Sequence, residues 1–136
     1  MRKAALVCGG VFNLVCALFH LSFWRQFHWH EELPRLSPIN GAIVQVENVV
    51  LIYLLLAFGV ISLWLARRTQ TAFGFGEKAF LCLVSGFYTC RALAEIPFFG
   101  WSPRGAVVCG LCLAIVGACL VPLRAHTHCA VDTNPF

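Results

Sequence analysis

The fold is decided by residues 41–66, which read GAIVQVENVVLIYLLLAFGVISLWLA and are apolar over most of their length. After Asn48 the stretch carries no charged or amide side chain before Arg67. A bilayer core about 30 Å thick is crossed by roughly 20 apolar residues in a helix. The stretch therefore predicts a membrane-spanning helix.

Three other blocks of similar length have the same apolar character, at residues 4–24, 77–96 and 104–123. A transmembrane barrel would instead need strands of about ten residues with alternating hydrophobicity, and the sequence lacks that alternation. We therefore expect an all-α integral membrane protein whose single domain, residues 1–136, is a four-transmembrane-helix bundle. A mobile tail is expected over residues 124–136.

Prolines and a serine mark the expected ends of the spans. Pro97 and Pro103 should lie just outside the third and fourth spans, because proline lacks the N–H that an interior helical turn needs. Pro122 falls in the final turn of the fourth span. Ser37 is a candidate cap before the second span, since serine oxygens accept hydrogen bonds from the first backbone N–H groups of a helix.

The composition argues against a soluble protein. Hydrophobic residues make up 60% of the chain and charged residues 12%, whereas average soluble chains have about 45–50% and about 25%. The net charge of +4 comes from basic residues scattered along the chain, which argues against nucleic acid as a partner. The sequence predicts a multi-pass membrane location with membrane lipid as a partner.

The distribution of basic residues predicts that both termini are cytoplasmic, because cytoplasmic loops are enriched in Lys and Arg. The segments expected on the cytoplasmic side carry the larger set: Arg2, Lys3, Arg67, Arg68, Lys78 and Arg124. The segments expected on the outer side carry a smaller set that two glutamates offset: Arg25, Arg35 and Arg104, with Glu31 and Glu32.

Ionisable and amide groups inside the spans are the candidate functional residues, because each costs about 2.5–3.5 kcal/mol at the bilayer centre. Such groups usually face other helices and have partners. On helical spacing they form stripes on the predicted helices and lie in the outer half of the bundle. The candidate ligand-binding residues are His20, Asn40, Gln45, Glu47, Asn48, Tyr88, Arg91 and Glu95.

The depth of these residues predicts specific pairs. Glu47 and Arg91 both lie roughly 8–10 Å below the outer interface at 1.5 Å per residue, so we expect an ion pair between them. Arg91 and Glu95 are also spaced to pair within one helix. The leading hypothesis is a membrane-embedded binding or accessory protein for a lipid, a quinone or a similar amphipathic ligand. The competing interpretation is a structural polar network that only fixes helix register.

A small membrane enzyme is the first alternative. Cys109 and Cys112 form a C-x-x-C that suits a quinone-coupled thiol oxidoreductase, and Glu47 with His20 suits an acid/base catalyst that modifies lipids. The competing interpretation of the cysteines is packing, because cysteine in a membrane helix usually behaves as a small apolar residue.

The C-x-x-C of the fourth span, together with the number of spans, resembles the vitamin K epoxide reductase family. That family passes electrons from a second cysteine pair in the loop after the first span. The corresponding loop here, residues 25–40, contains no cysteine. The resemblance therefore covers one motif and a helix count, and no role is carried over from it.

A metal-handling protein is the second alternative, with His28, His30 and Glu31 as candidate ligands. The competing interpretation places these residues in the headgroup layer. No sequence motif identifies a cofactor. A face of small residues on the fourth span allows a homo-oligomer or docking on a larger membrane complex; its members are Gly110, Ala114, Gly117 and Ala118.

Overall fold

The structure is a computed structural model that describes residues 2–68 and 73–124. Over these ranges the chain is helical with short connections and no strand, which confirms the all-α prediction. The four long helices are α1 (Arg2–Leu21), α4 (Pro38–Arg67), α5 (Phe75–Phe99) and α6 (Pro103–Arg124). Between α1 and α4 lie α2 (Phe23–Gln26), α3 (Trp29–Glu32) and a 3-10 turn (Leu33–Arg35). Apart from its first residue, the predicted mobile tail lies outside the described residues.

All four long helices are long and apolar enough to span a membrane. The most apolar windows of α4 and α6 both reach a mean hydropathy of 2.6, against 1.4 for α5. The lower value of α5 reflects charged residues such as Arg91 and Glu95 within it. With 30 residues, α4 is about 45 Å long at 1.5 Å per residue, which exceeds the thickness of a bilayer core.

The ends of α1 and α4 depend on two serines. Helix α1 ends at Leu21 rather than at the expected residue 24, and the Ser22 hydroxyl donates to the Phe19 carbonyl oxygen over 2.7 Å. Such a bond competes with the regular backbone bonds of a helix. At the start of α4 the Asn40 N–H donates to Ser37 Oγ over 3.3 Å. The predicted cap at Ser37 is therefore confirmed.

The expected end of the third span was wrong. Pro97 lies inside α5, which continues to Phe99 and is followed by Gly100 at a φ of 71°. The Gly100 N–H donates to the Ile96 carbonyl oxygen over 2.9 Å. Because Pro97 sits in the last turn, its missing N–H removes one backbone bond without stopping the helix. Glycine, which adopts positive φ readily, ends it instead.

The contacts of the chain divide it into two compact units, and each is described by itself. The central unit is Gly10–Leu63, and the terminal unit comprises Met1–Gly9 and Trp64–Phe136. In the central unit the backbones of α1 and α4 come close together at Gly10 and Gly59. A Cβ atom on either glycine would lie 3.1 Å from the carbonyl oxygen of the other. Small residues at such a crossing are typical of membrane helices.

In the terminal unit α5 and α6 pack against each other over much of their length. Their buried residues recur at helical spacing and so form one stripe on each helix: Leu81, Val84, Tyr88 and Glu95 on α5, and Gly105, Cys112, Ile115, Cys119 and Pro122 on α6. Two of the cysteines thus contribute side chains to the core of this unit. The predicted small-residue face of α6 is open, because a Cβ atom on Gly110 or Gly117 would meet nothing within 4 Å.

Candidate functional site

The candidate ligand-binding residues fall into two groups, one in each unit. The central unit contains His20, Asn40, Gln45, Glu47 and Asn48. The terminal unit contains the other three: Tyr88, Arg91 and Glu95. The predicted ion pair between Glu47 and Arg91 would join the two units, and it stays a prediction.

His20 and Asn48 bond to each other twice in the central unit. The ring Nδ1 of His20 lies 3.0 Å from Oδ1 of Asn48, and Nδ2 of Asn48 donates to the His20 carbonyl oxygen over 3.2 Å. Because Oδ1 only accepts, this geometry places a proton on Nδ1. Asn48 is 5% exposed, so the two bonds satisfy the polar atoms of a buried side chain. They tie the last turn of α1 to α4.

The other polar residues of α4 differ in their surroundings. Gln45 is half-buried, and its Nε2 donates to the Gly41 carbonyl oxygen over 3.2 Å. Asn40 and Glu47 are exposed. The polar residues predicted on this helix therefore differ in burial: Gln45 and Asn48 are half-buried and buried, while Asn40 and Glu47 face outward.

Arg91 and Glu95 form the ion pair of the terminal unit, which confirms the expected pairing within one helix. Nη1 of Arg91 lies 2.5 Å from Oε2 of Glu95, and the side chains are 37% and 8% exposed. The guanidinium carbon also lies 5.6 Å from the ring centre of Phe99. A Cβ atom on Gly105 would lie only 3.2 Å from Oε1 of Glu95, so glycine leaves the space that the carboxylate occupies.

The C-x-x-C cysteines are free thiols in the structure. Sγ of Cys109 donates to the Ala92 carbonyl oxygen over 3.6 Å, and Cys112 is 4% exposed. Reactive cysteines usually lie in partly exposed, electropositive surroundings. The burial of Cys112 favours packing over thiol chemistry.

A pocket of about 440 Å³ lies in the central unit, between the short helices and the start of α4. Its walls are largely apolar and include Trp24, Trp29, Leu33 and Pro34, while His30 and Gln45 add polar groups. We name it the aromatic pocket. The rings of Trp24 and Trp29 have centroids 4.8 Å apart and meet edge to face. Helix α3 reaches this position after His28, which adopts a left-handed φ of 48°.

The sequence identified Gln45 as a candidate ligand-binding residue and His30 as a candidate metal ligand, but it did not identify the apolar walls of the aromatic pocket. Tryptophan near the ends of spans usually lies at the membrane interface, so the positions of Trp24 and Trp29 in the sequence do not by themselves indicate a pocket. Their common function as pocket walls depends on the turn at His28, and a histidine at positive φ has no strong sequence signal. One sequence feature could have indicated the pocket: two tryptophans flank a short polar segment that precedes the polar stripe of the second span.

The candidate metal ligands form a smaller group than a metal site needs. Nε2 of His30 lies 3.2 Å from Oε1 of Glu31, and both side chains are well exposed. The ring centroids of His28 and His30 are 6.1 Å apart. Within residues 2–68 and 73–124, no group of three or more His, Cys, Asp or Glu side chains is arranged to hold a metal ion.

The two groups differ in what they can do chemically. The central unit combines an apolar pocket with an amide and an imidazole at its wall, which suits a molecule with a polar head and an apolar body. The terminal unit holds a charge pair with its carboxylate buried.

Comparison of the chain with known protein families, with curated proteins and with solved structures finds no match.

Proposed function

We propose that the protein is a multi-pass membrane protein that binds an amphipathic small molecule, such as a lipid or a quinone, in the aromatic pocket. In this proposal the four long helices cross the membrane as a bundle, both termini are cytoplasmic, and the aromatic pocket lies at the outer interface. The observation that carries the proposal is a pocket of about 440 Å³ with tryptophan walls and a polar wall residue, Gln45.

The outward side chains support membrane insertion. Large apolar residues are exposed along every long helix, among them Leu18 on α1, Val50 on α4, Leu93 on α5 and Leu113 on α6. Exposing apolar surface to water costs a free energy of about 25 cal/mol per Å². Contact with lipid tails avoids this cost, because the tails are as apolar as leucine side chains. The excess of basic residues at the ends expected to be cytoplasmic supports the orientation.

The chemistry of the walls favours an amphipathic ligand. Pockets for small molecules usually measure about 300–1,000 Å³ and combine apolar walls with a few polar groups. The Gln45 amide uses one N–H on Gly41, and an amide offers a second N–H and an oxygen acceptor. A ring head lying against Trp24 and Trp29 would have this amide and His30 within the same pocket lining.

The bond pair between His20 and Asn48 gives the aromatic pocket a fixed wall. Asn48 follows Gln45 by three positions on α4, so the two side chains are neighbours along one face of the helix. By tying α1 to α4 at this level, the pair holds the Trp24 end of the chain near Gln45. A network that only fixed helix register would explain these bonds, but it would not explain an open pocket beside them.

Native mass spectrometry of protein released from mild detergent tests the proposal. The wild-type chain should retain a small molecule beyond detergent. Replacing Gln45 by Met removes its hydrogen bonds and should lower the retained fraction about fivefold, and Trp29→Ala should lower it about tenfold or more. Gln26→Met and Trp101→Ala are matched controls, because neither residue lines the aromatic pocket.

Two results would contradict the proposal. One is a wild-type chain that carries no molecule when it is extracted directly from its membrane. The other is retention that is the same in Gln45→Met, Trp29→Ala and the two controls. The helical circular dichroism signal of each variant shows whether a loss of ligand reflects a loss of fold.

A further inference from the structure

A second cavity, of about 190 Å³, lies in the terminal unit where the start of α1 meets the end of α4. Its lining consists of three basic residues and three apolar ones: Arg2, Lys3, Arg68, Leu6, Leu65 and Ala66. We name it the basic cavity. None of these residues belongs to the aromatic pocket or to the Arg91–Glu95 pair.

Aromatic contacts hold the two guanidinium groups of the basic cavity in place. The guanidinium carbon of Arg2 lies 3.6 Å from the ring centre of Phe73, and that of Arg68 lies 4.4 Å from the ring centre of Trp64. Nη1 of Arg68 also lies 2.6 Å from Oε1 of Glu77. Positively charged groups stacked on rings keep their positions better than free side chains, so the rim is organised before any anion arrives.

The charge around the basic cavity is unbalanced. The neighbouring segments carry Arg67 and Lys78 in addition to the three basic residues of the lining. Glu77 is the acidic residue of these segments, and it is already paired with Arg68. An anion would therefore find a surplus of positive charge there.

The floor of the basic cavity is apolar. Leu6, Leu65 and Ala66 are 4%, 2% and 7% exposed, and they belong to two helices of membrane-spanning length. A free inorganic anion would gain nothing from such a floor. A phosphate joined to a glycerol and acyl chains would use both parts, the charges for its phosphate and the apolar floor for its first methylenes.

We propose that the basic cavity binds the headgroup phosphate of an anionic phospholipid, with the remainder of the lipid lying along α1 and α4. A volume of about 190 Å³ accommodates a phosphate and part of its glycerol, not a whole lipid. Basic pockets at the cytoplasmic ends of membrane helices are a recurrent form of lipid recognition. This proposal rests on the membrane insertion and orientation of the proposed function, but the basic cavity shares no lining residue with the aromatic pocket, so ligand binding at either place can fail without the other.

Lipid exchange in nanodiscs tests the site. The full chain is placed in discs of phosphatidylglycerol and phosphatidylcholine with the same acyl chains, and the lipids that it retains are counted by native mass spectrometry. The wild type should retain phosphatidylglycerol in preference to phosphatidylcholine. Each basic residue removed should lower that preference about fivefold, so Arg2→Gln/Lys3→Gln should lower it about 25-fold.

The charge-matched control is Arg25→Gln/Arg104→Gln, which removes two exposed basic residues that do not line the basic cavity. This variant should keep the wild-type preference. Because Lys3 is exposed, the single variant Lys3→Gln serves as a test that does not disturb the aromatic contacts. Equal retention of the two lipids by the wild type, an equal loss in the control, or displacement of the lipid by millimolar inorganic phosphate would each overturn the proposal.

Discussion

The imidazole of His20 and the amide of Asn48 satisfy each other across two helices, through bonds of 3.0 and 3.2 Å. Both bonds satisfy polar groups in apolar helices, where an unpaired polar group is costly. Together they form a closed pair beside the aromatic pocket. The pair holds the end of α1, just before the short helices, against Asn48 of α4.

Removing the amide should therefore destabilise the central unit. Asn48→Leu leaves the His20 ring N–H without its acceptor and should lower the free energy of unfolding by about 1–3 kcal/mol. The measurement is SDS or thermal unfolding in detergent, followed by circular dichroism. Asn40→Leu is the control, because Asn40 is exposed and its replacement should change stability by less than about 0.5 kcal/mol. Equal effects of the two substitutions would contradict the importance of the pair.

The crossing of α1 and α4 should not tolerate a larger residue. Gly59→Val adds a Cβ atom 2.7 Å from Cδ2 of Leu14 and 3.1 Å from the Gly10 carbonyl oxygen. The helices must separate or shift, at about 1–3 kcal/mol. The same unfolding assay measures the effect. Gly117→Val, at a position with open space around it, is the matched control, and a loss of stability there as large as at Gly59 would count against a close crossing.

The pair of Arg91 and Glu95 gives a prediction about charge balance. Glu95→Gln leaves the guanidinium without its counter-charge and should lower stability by about 1–3 kcal/mol. The double variant Arg91→Leu/Glu95→Gln should recover much of this loss, because replacing a whole ion pair costs less than breaking it. A double-mutant cycle built from Glu95→Gln, Arg91→Leu and this double variant measures the coupling. Additive effects of the two single changes would show that the 2.5 Å contact contributes no coupling.

Thiol chemistry is testable on the cysteines of α6. Cys112 and Cys119 are buried, so a water-soluble maleimide should leave both unmodified in native membranes and should modify both after denaturation in SDS. The intact mass should also be the same before and after reduction, because a disulfide between Cys109 and Cys112 would lower the unreduced mass by two hydrogens. Rapid modification of Cys112 in the native state, or a disulfide with Cys109, would revive the oxidoreductase alternative.

The long helices could be predicted from the sequence because their signal is strong and local. The apolar runs around Val50 and Leu113 are long enough to span a membrane, and Ser37 marks a helix start through its side-chain oxygen. Pro103, expected just outside the fourth span, is the first residue of α6, where proline is tolerated because the N–H of that position has no partner within the helix. The end of α5 was misplaced because Pro97 has different effects in the middle and in the last turn of a helix. The identity of the next glycine decided the outcome, since Gly100 supplied the positive φ.

The candidate site was less predictable. His20, Gln45 and Asn48 were identified by their cost in lipid, but their partners were not, because helical periodicity does not give the relative rotation of two helices. The bond between His20 and Asn48 depends on that rotation. The aromatic pocket depends on the backbone turn at His28, where local sequence preference is weak. Arg91 and Glu95 were paired correctly because spacing within one helix is sufficient for that inference.

The central claim is that the aromatic pocket holds an amphipathic molecule, and an experimental density map tests it most directly. The protein is purified from its own membrane in a mild detergent and its structure is determined by electron cryomicroscopy. The account predicts continuous density in the aromatic pocket, against Trp24 and Trp29, that reaches the amide of Gln45 and is absent from the Trp29→Ala variant. A well-resolved map in which side chains or water alone fill this space would contradict the account.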